Sequence, residues 1–204
     1  MNLEGYEPFQ PGVVGPLGSV SRPEARESFK RRMASKSTRI EMLGRLVRIN
    51  GGDELSHSES AIQMLNDWFV EHIEIDPANP GQPQAWWNSI SNDVALYLGE
   101  YLILECPWLE WQMWTKGKRD VSYQRPVVVG FRNAGFDNFS WDVHRQVASY
   151  SHRIMRAKGH ASEYGKIQVK GLEVDVDAVL STLPERGIEH DWFLSILRNA
   201  KEKS

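Results

Sequence analysis

The feature that most limits how this chain can fold is a helix-length segment from Trp86 to Leu104 that is apolar on nearly every side. Its apolar residues do not form the single stripe of a helix with one face in water: they are Trp87, Ile90, Val94, Leu96, Tyr97, Leu98, Tyr101, Leu102 and Ile103. A helix that is apolar all round lies inside a protein or spans a membrane. No run of the sequence reaches the roughly 18 uninterrupted apolar residues that a membrane span needs. We therefore expect this helix at the centre of a folded domain.

Amphipathic helices are predicted around the central helix. Three segments repeat apolar residues at three- and four-residue steps, the pattern of a helix with one buried face. Ser21, Ser56 or Ser58, and Ser140 are the expected N-cap residues. The stretch 35–38 has a weak enough tendency to form helix that it could divide the first segment into two helices. These helices cover residues 23–49, 58–73 and 140–156, and two closing helices are expected at 175–183 and 185–200.

A short β-hairpin is predicted after Pro107, which cannot continue the helix. Residues 108–114 alternate between two faces, the charged stretch 116–120 supplies a turn, and a second strand is expected at 121–131. A further short strand is expected at 166–170. The sequence therefore predicts an α+β fold, in which a small antiparallel hairpin or sheet packs on the central apolar helix with flanking amphipathic helices.

The chain is long enough for one sizeable domain. Its 204 residues are 41% hydrophobic and 25% charged, as in an ordinary globular protein. Residues 1–21 are rich in proline and glycine, and we expect a flexible arm without a core of its own. Residues 22–204 are expected to form a single α+β domain, with 171–204 as a candidate peripheral helical extension.

Charge is separated into blocks along the chain. Residues 22–48 carry nine Lys or Arg and three acids, 49–115 carry eleven acids and no Lys or Arg, and 116–170 carry eleven basic residues and four acids. Two interpretations are open: the blocks neutralise one another within one fold, or they form charged faces for partners. The net charge of −3 lacks the basic excess of a dedicated nucleic-acid binder.

Arg125 is the most informative polar residue of the sequence. It falls in phase with apolar and aromatic residues of the second predicted strand, so alternation turns its guanidinium inward. A buried guanidinium needs a carboxylate, and we expect an ion pair with Glu100, or with Asp93 as the second choice. The pair would either fix the hairpin against the helix or form a pocket in which Arg125 binds an anion or Glu100 acts as a base. The aromatic neighbours of that pocket would be Tyr97, Tyr101 and Tyr123.

The chain contains eight tryptophans, an unusual number. Trp108 and Trp114 share a face of the first predicted strand with Glu110 and Gln112. If that face is uncovered, the two indoles form a surface of the type enriched at binding hot spots. If it is covered, they belong to a second layer of the core. Both interpretations stay open.

The sequence contains no motif for a metal site or for nucleophilic catalysis. Its six histidines form no H-x-x-x-H, H-E-x-x-H or Cys/His pattern, so neither a metal nor a cofactor is predicted. It also lacks G-x-S-x-G and a glycine-rich phosphate loop. The single Cys106 excludes an internal disulfide, and the first twenty residues lack the pattern of a secretory signal. We expect a cytoplasmic protein without a membrane segment, and a non-enzymatic role is favoured.

Three segments in a fixed order support a family resemblance. They are D-V-A-L-Y-L-G-E-Y-L-I at 93–103, V-S-Y-Q-R-P-V-V-V-G-F at 121–131 and D-V-H-R-Q-V-A-S-Y-S-H-R at 142–153. With a Trp-bearing strand between the first two, this order resembles a family of short, uncharacterised bacterial cytoplasmic proteins. The resemblance covers about residues 60–156 and implies a small cytoplasmic α/β domain. It implies no activity and no catalytic residue.

Two functions of different classes are carried forward. The favoured one is a non-catalytic protein-interaction module, such as an immunity-like or defence-associated subunit, that uses the acidic stretch and exposed indoles. The alternative is a small-molecule or anion-binding protein, or an enzyme, with a pocket around Arg125 and Glu100. Contact with nucleic acid is a third, weaker hypothesis, and it rests on the basic residues Arg22, Arg26, Lys30, Arg31 and Arg32.

Overall fold

The computed structural model describes residues 1–79, 82–135, 139–158 and 188–204, and the backbone of two strands at 166–169 and 172–175. Within these ranges the helices are α1 (Arg22–Ala34), α2 (Lys36–Ile49), α3 (Glu59–His72), α4 (Ala85–Glu105), α5 (Val143–Ala157) and α6 (Trp192–Lys201). The strands are β1 (Glu110–Met113), β2 (Pro126–Val129), β3 (Lys166–Val169) and β4 (Leu172–Asp175). Helices packed on a small antiparallel hairpin confirm the predicted α+β class.

Helix α4 is the centre of the fold, as its all-round apolar character predicted. Helices α2, α5 and α6 pack against it, and Trp87, Ile90, Val94 and Leu98 are fully buried. Three helices packed against α4 bury most of its surface, in agreement with its largely apolar sequence. In the described part of the chain, no helix combines the length and the apolar character that a membrane crossing requires.

The starts of the helices follow from side-chain caps. Ser21 and Glu24 form a reciprocal capping box at α1, and the Ser58 hydroxyl accepts a hydrogen bond from the backbone N–H of Ala61 at α3. The prediction of Ser140 as the cap of α5 is wrong. Asp142 takes this role instead, because its carboxylate accepts a hydrogen bond from the Arg145 N–H at 2.9 Å. The first predicted helix divides at Ser35, as its weak stretch indicated.

The β1–β2 hairpin is shorter than predicted. Its ladder runs from Glu110 opposite Val129 to Met113 opposite Pro126, and residues 121–125 are turns. Gln124 adopts φ 63°, a left-handed conformation that ends the alternation assumed for the second strand. Val121, the first residue of the second predicted strand, lies in this turn and is 63% exposed.

The N-terminal arm is attached to the domain. Tyr6 is buried, and the side chain of Asn50 donates to the Asn2 carbonyl while its oxygen accepts the Asn2 N–H. Further along, the Gln124 side chain donates to the carbonyls of Leu17 and Val20. The buried Tyr6 and these hydrogen bonds attach the segment to the domain at separate places. The expected flexibility of the arm stays a prediction.

The C-terminal region departs from its prediction in part. The strand expected at 166–170 is present as β3, which pairs with β4 from Lys166 opposite Asp175. The helix expected at 175–183 lies outside the described residues, except that Asp175 ends β4. The last predicted helix begins only at Trp192. Because α6 packs on α3 and α4 and buries Phe193 completely, it belongs to the core and not to a peripheral extension.

Gly99 allows the hairpin to approach α4, and this gives a testable prediction. A Cβ at Gly99 would overlap the indole of Trp111, with Cη2 at 2.7 Å, whereas a Cβ at Gly44 in α2 meets nothing within 4 Å. We expect Gly99→Ala to lower the free energy of unfolding by about 1–3 kcal/mol through overpacking. Gly44→Ala should raise it by up to about 1 kcal/mol through helix propensity. Urea unfolding of both variants measures the difference, and equal effects would contradict the close packing at Gly99.

Candidate functional site

Ion pairs between distant parts of the chain neutralise some of the charge blocks. The acidic stretch 49–115 meets basic residues of α2 and α6 through Lys36–Glu100, Arg39–Asp93, Arg198–Glu59 and Lys201–Glu105. The first of the two interpretations of the charge pattern, neutralisation within one fold, is therefore supported for these residues.

The most deeply buried of these pairs joins Arg39 and Asp93. Arg39 Nε donates to one oxygen of Asp93 at 2.9 Å, and Nη2 donates to the other. The Tyr6 hydroxyl donates to the same carboxylate, and Ser89 Oγ accepts from Arg39 at 3.1 Å. Arg39 also donates to the Glu7 carbonyl, so the network fastens the N-terminal arm to α2 and α4.

Hydrogen bonds compensate for the burial of this pair. Burial opposes the charge of Arg39, but the hydrogen bond and the charge of Asp93, together with Tyr6, raise the pKa of Arg39 above its ordinary value. Burial raises the pKa of Asp93, although the hydrogen bonds from Arg39 and Tyr6 act in the opposite direction. We treat the pair as ionised because Tyr6 and Ser89 satisfy the remaining donors and acceptors. One sequence signal for Arg39 was available: it is in phase with the buried Leu43 and Leu46 on α2. No local pattern indicated the burial of Tyr6.

The expected partner of Arg125 is wrong. Arg125 does meet a carboxylate, but the carboxylate belongs to Asp142, with Nε 3.0 Å from Oδ2. Glu100 pairs with Lys36 instead and accepts a hydrogen bond from Trp111 Nε1 at 2.8 Å. The contact between Arg125 and Asp142 is an ion pair without an aligned hydrogen bond, so the buried Oδ2 keeps free acceptor capacity among the described residues.

The tyrosines predicted around Arg125 lie in separate places. The Tyr97 hydroxyl donates to the Ser56 carbonyl at 2.8 Å, and burial raises the pKa of Tyr97 to about 12. Tyr101 stacks on His57 with ring centroids 4.2 Å apart. Tyr123 lies in the turn beside Gly18. A pocket made by Arg125, Glu100 and these tyrosines is therefore not assembled.

A group of cations that the sequence analysis did not predict surrounds His144. Arg32 is 7% exposed, and no carboxylate of the described residues lies within ion-pairing distance of it. Burial, with the nearby charges of Arg125 and Arg39, lowers the pKa of Arg32 to about 10, although Asp93 acts in the opposite sense. Burial is the main reason why the pKa of His144 is well below its ordinary value, and the positive charges of Arg32 and Arg125 lower it further. His144 is therefore neutral at pH 7.

The expected surface of Trp108 and Trp114 is not formed. Trp114 is buried, and its Nε1 donates to Asp120 at 3.0 Å. Trp108 is 43% exposed and carries the Arg132 guanidinium over its ring. Glu110, the first residue of β1, is exposed. The two indoles differ because Trp114 lies beyond the end of the β1 ladder, where the following turn covers it.

A cleft of about 340 Å³ lies between the start of α5 and α6, and we call it the Trp141–Trp192 cleft. It is lined by Ser122, Phe139, Ser140, Trp141, Asp142, Arg145, Gln146, Trp192, Ile196, Asn199, Ala200 and Lys203. Arg145 is exposed, and among the described residues neither Arg145 nor Lys203 has a carboxylate within ion-pairing distance. Among the described residues of the lining, the one acid is Asp142, which already pairs with Arg125. These described residues therefore carry a net positive charge in a protein of net charge −3.

Metal ligands and the basic residues named for nucleic acid remain to be placed in the fold. Among the described residues, no group of His, Cys, Asp or Glu is arranged to hold a metal ion. Of the basic residues named for nucleic acid, Arg32 is buried, while Arg22, Arg26, Lys30 and Arg31 are exposed and Lys30 pairs with Glu27. Searches of protein-family models, curated proteins and solved structures find no match for this chain. The family resemblance stays a prediction.

Proposed function

We propose that this protein binds a small anionic molecule in the Trp141–Trp192 cleft. The observation that carries the proposal is the pair of cations, Arg145 and Lys203, that line a concave site without carboxylate partners among the described residues. The volume of about 340 Å³ is at the small end of the range for ligand sites, so it fits a metabolite better than a peptide.

The polar lining supports recognition of an anion by side chains. Asp142 already occupies the capping position of α5, so the ligand would not depend on the N-terminal N–H groups of this helix. Arg145 supplies a planar guanidinium suited to a carboxylate or a phosphate, and the amides of Gln146 and Asn199 add neutral donors. Trp141 and Trp192 make the remainder of the wall apolar. This is the alternative function of the sequence analysis, moved from Arg125 and Glu100 to a different cleft.

Titration calorimetry with inorganic phosphate, citrate and adenosine monophosphate tests the proposal. We expect at least one of the three probes to bind with a saturable isotherm at one site. Arg145→Gln should raise its Kd at least about 10-fold, because one charge-assisted hydrogen bond contributes about 1.5–3 kcal/mol. Arg156→Gln is the matched control, since Arg156 is an exposed arginine in the last turn of the same helix. It should leave the Kd unchanged.

Two outcomes would count against the cleft. If both variants weaken binding equally, the probe responds only to net charge. If none of the three probes binds with a Kd below about 10 mM, the protein-interaction module becomes the better hypothesis. The half-exposed Trp108 with Arg132 on its ring is the observation that favours this second function, because Trp and Arg are enriched at binding hot spots.

A further inference from the structure

Three buried side chains on α1 and α5 have polar atoms without hydrogen-bond partners among the described residues. They are Ser28, Arg32 and His144, which are 2%, 7% and 4% exposed. The unpartnered atoms are Ser28 Oγ, Arg32 Nε and both ring nitrogens of His144. Because an unsatisfied buried polar group is costly, three such side chains near one another indicate a ligand that the protein atoms do not supply.

These groups belong to one place in the fold. Ser28 and Arg32 are one turn apart on the same face of α1. Arg32 is close enough to His144 for its charge to act on the imidazole. Phe9 lies against the Arg32 guanidinium, with 4.7 Å from Cζ to the ring centroid, and Trp111 lies beside His144 with ring centroids 5.9 Å apart. The site is thus polar at its centre and bounded by aromatic rings.

The balance of charge decides which ligand fits. In the part of the chain that the structure describes, the charged side chains that act on Arg32 are Arg39, Arg125, Asp93 and Asp142. Both carboxylates are already paired, Asp93 with Arg39 and Asp142 with Arg125. Arg32 therefore remains as a surplus positive charge in a buried setting. A water molecule would satisfy the donors but not the charge, whereas an anion satisfies both.

We propose that a small monovalent anion of the chloride class binds between Ser28, Arg32 and His144. The hydroxyl, the guanidinium Nε–H and one imidazole N–H act as donors to it, with His144 neutral. This site is distinct from the Trp141–Trp192 cleft, since none of its three residues lines that cleft. It does not depend on the proposed function, and it adds an internal ion that holds α1 and α5 together.

Thermal unfolding with chloride replacing gluconate at constant ionic strength tests the proposal. For a Kd of about 10 mM, the Tm of the unaltered protein should rise by about 4–7 °C between zero and 0.2 M chloride, and the rise should grow with the logarithm of the chloride concentration above the Kd. Arg32→Met should abolish the rise. This variant is expected to fold, because it removes an unpaired buried charge and keeps an apolar chain of similar length. Arg26→Met, at an exposed position of the same helix, is the matched control and should keep the rise.

Two further measurements make the test decisive. Arg145→Gln should keep the chloride-dependent rise, which separates this site from the cleft. In a bromide-soaked crystal, an anomalous peak should lie within hydrogen-bond distance of Arg32 and His144. An equal rise in Arg32→Met, the absence of a rise in the unaltered protein, or bromide bound only elsewhere would each overturn the proposal.

Discussion

Replacing Asp93 with alanine is expected to destabilise the protein by about 3–5 kcal/mol, the largest effect of a single substitution that we predict. The reason is the state of Arg39 in the variant. Its side chain is 6% exposed and keeps its charge, but it loses both hydrogen bonds to the carboxylate. Tyr6 loses its acceptor at the same time, so the N-terminal arm is weakened with the core. Urea unfolding monitored by circular dichroism measures the change.

A double variant separates two quantities: the net contribution of the Arg39–Asp93 pair to stability, and the loss of stability when only one partner is removed. In Arg39→Met/Asp93→Leu both charges are removed, and we expect much of the lost stability to return because no buried charge remains unpaired. Arg198→Ala is the control for an exposed ion pair, since Arg198 and Glu59 are 56% and 60% exposed. It should change the stability very little. A loss for Asp93→Ala as small as that of Arg198→Ala would contradict the buried network.

Acid is expected to destabilise the protein through His144. The folded-state pKa of His144 is depressed well below the ordinary value of about 6.5, because burial, Arg32 and Arg125 oppose protonation. Below pH 6.5 the unfolded chain therefore binds a proton that the folded protein does not. The contribution of His144 is fully present above this pH and is lost as the pH falls towards the folded pKa, at about 1.4 kcal/mol per pH unit.

The pH dependence of the unfolding free energy checks this prediction. His144→Gln should reduce its slope between pH 6.5 and 4.5, so that the variant gains up to about 2.7 kcal/mol relative to the unaltered protein over this interval. His190→Gln, the same substitution at an exposed histidine, is the matched control. Parallel curves for His144→Gln and the unaltered protein would show that His144 accepts a proton in the folded state.

Elements with strong local patterns were predictable in this chain. The boundaries of α3 follow from Ser58 and the apolar repeat that ends at Ile73, and α4 follows from its continuous apolar surface. The second strand of the hairpin was predicted too long because a single left-handed residue, Gln124, ends the alternation. This conformation depends on the carbonyls of Leu17 and Val20, which hold the Gln124 side chain and are distant in the sequence.

The candidate sites were much less predictable. Glu100 was the expected partner of Arg125, because Gly99 beside it would permit another backbone to approach the helix closely. Arg125 instead lies in a turn and is 34% exposed. In the fold, the cap residue of α5 is the closer acid. The Trp141–Trp192 cleft escaped prediction for a related reason. Its lining comes from a hairpin turn, the start of α5 and α6, and none of these segments alone has a motif for binding.

The sequence by itself determined the α+β class and the central position of α4. Both properties depend on apolar periodicity, which acts within one helix or strand. Only the tertiary structure decided which groups meet. The network of Arg39, Asp93 and Tyr6 joins residues 54 and 87 positions apart. An ion pair forms wherever packing brings two charges together, so its partners depend on how the helices pack and not on any spacing along the chain.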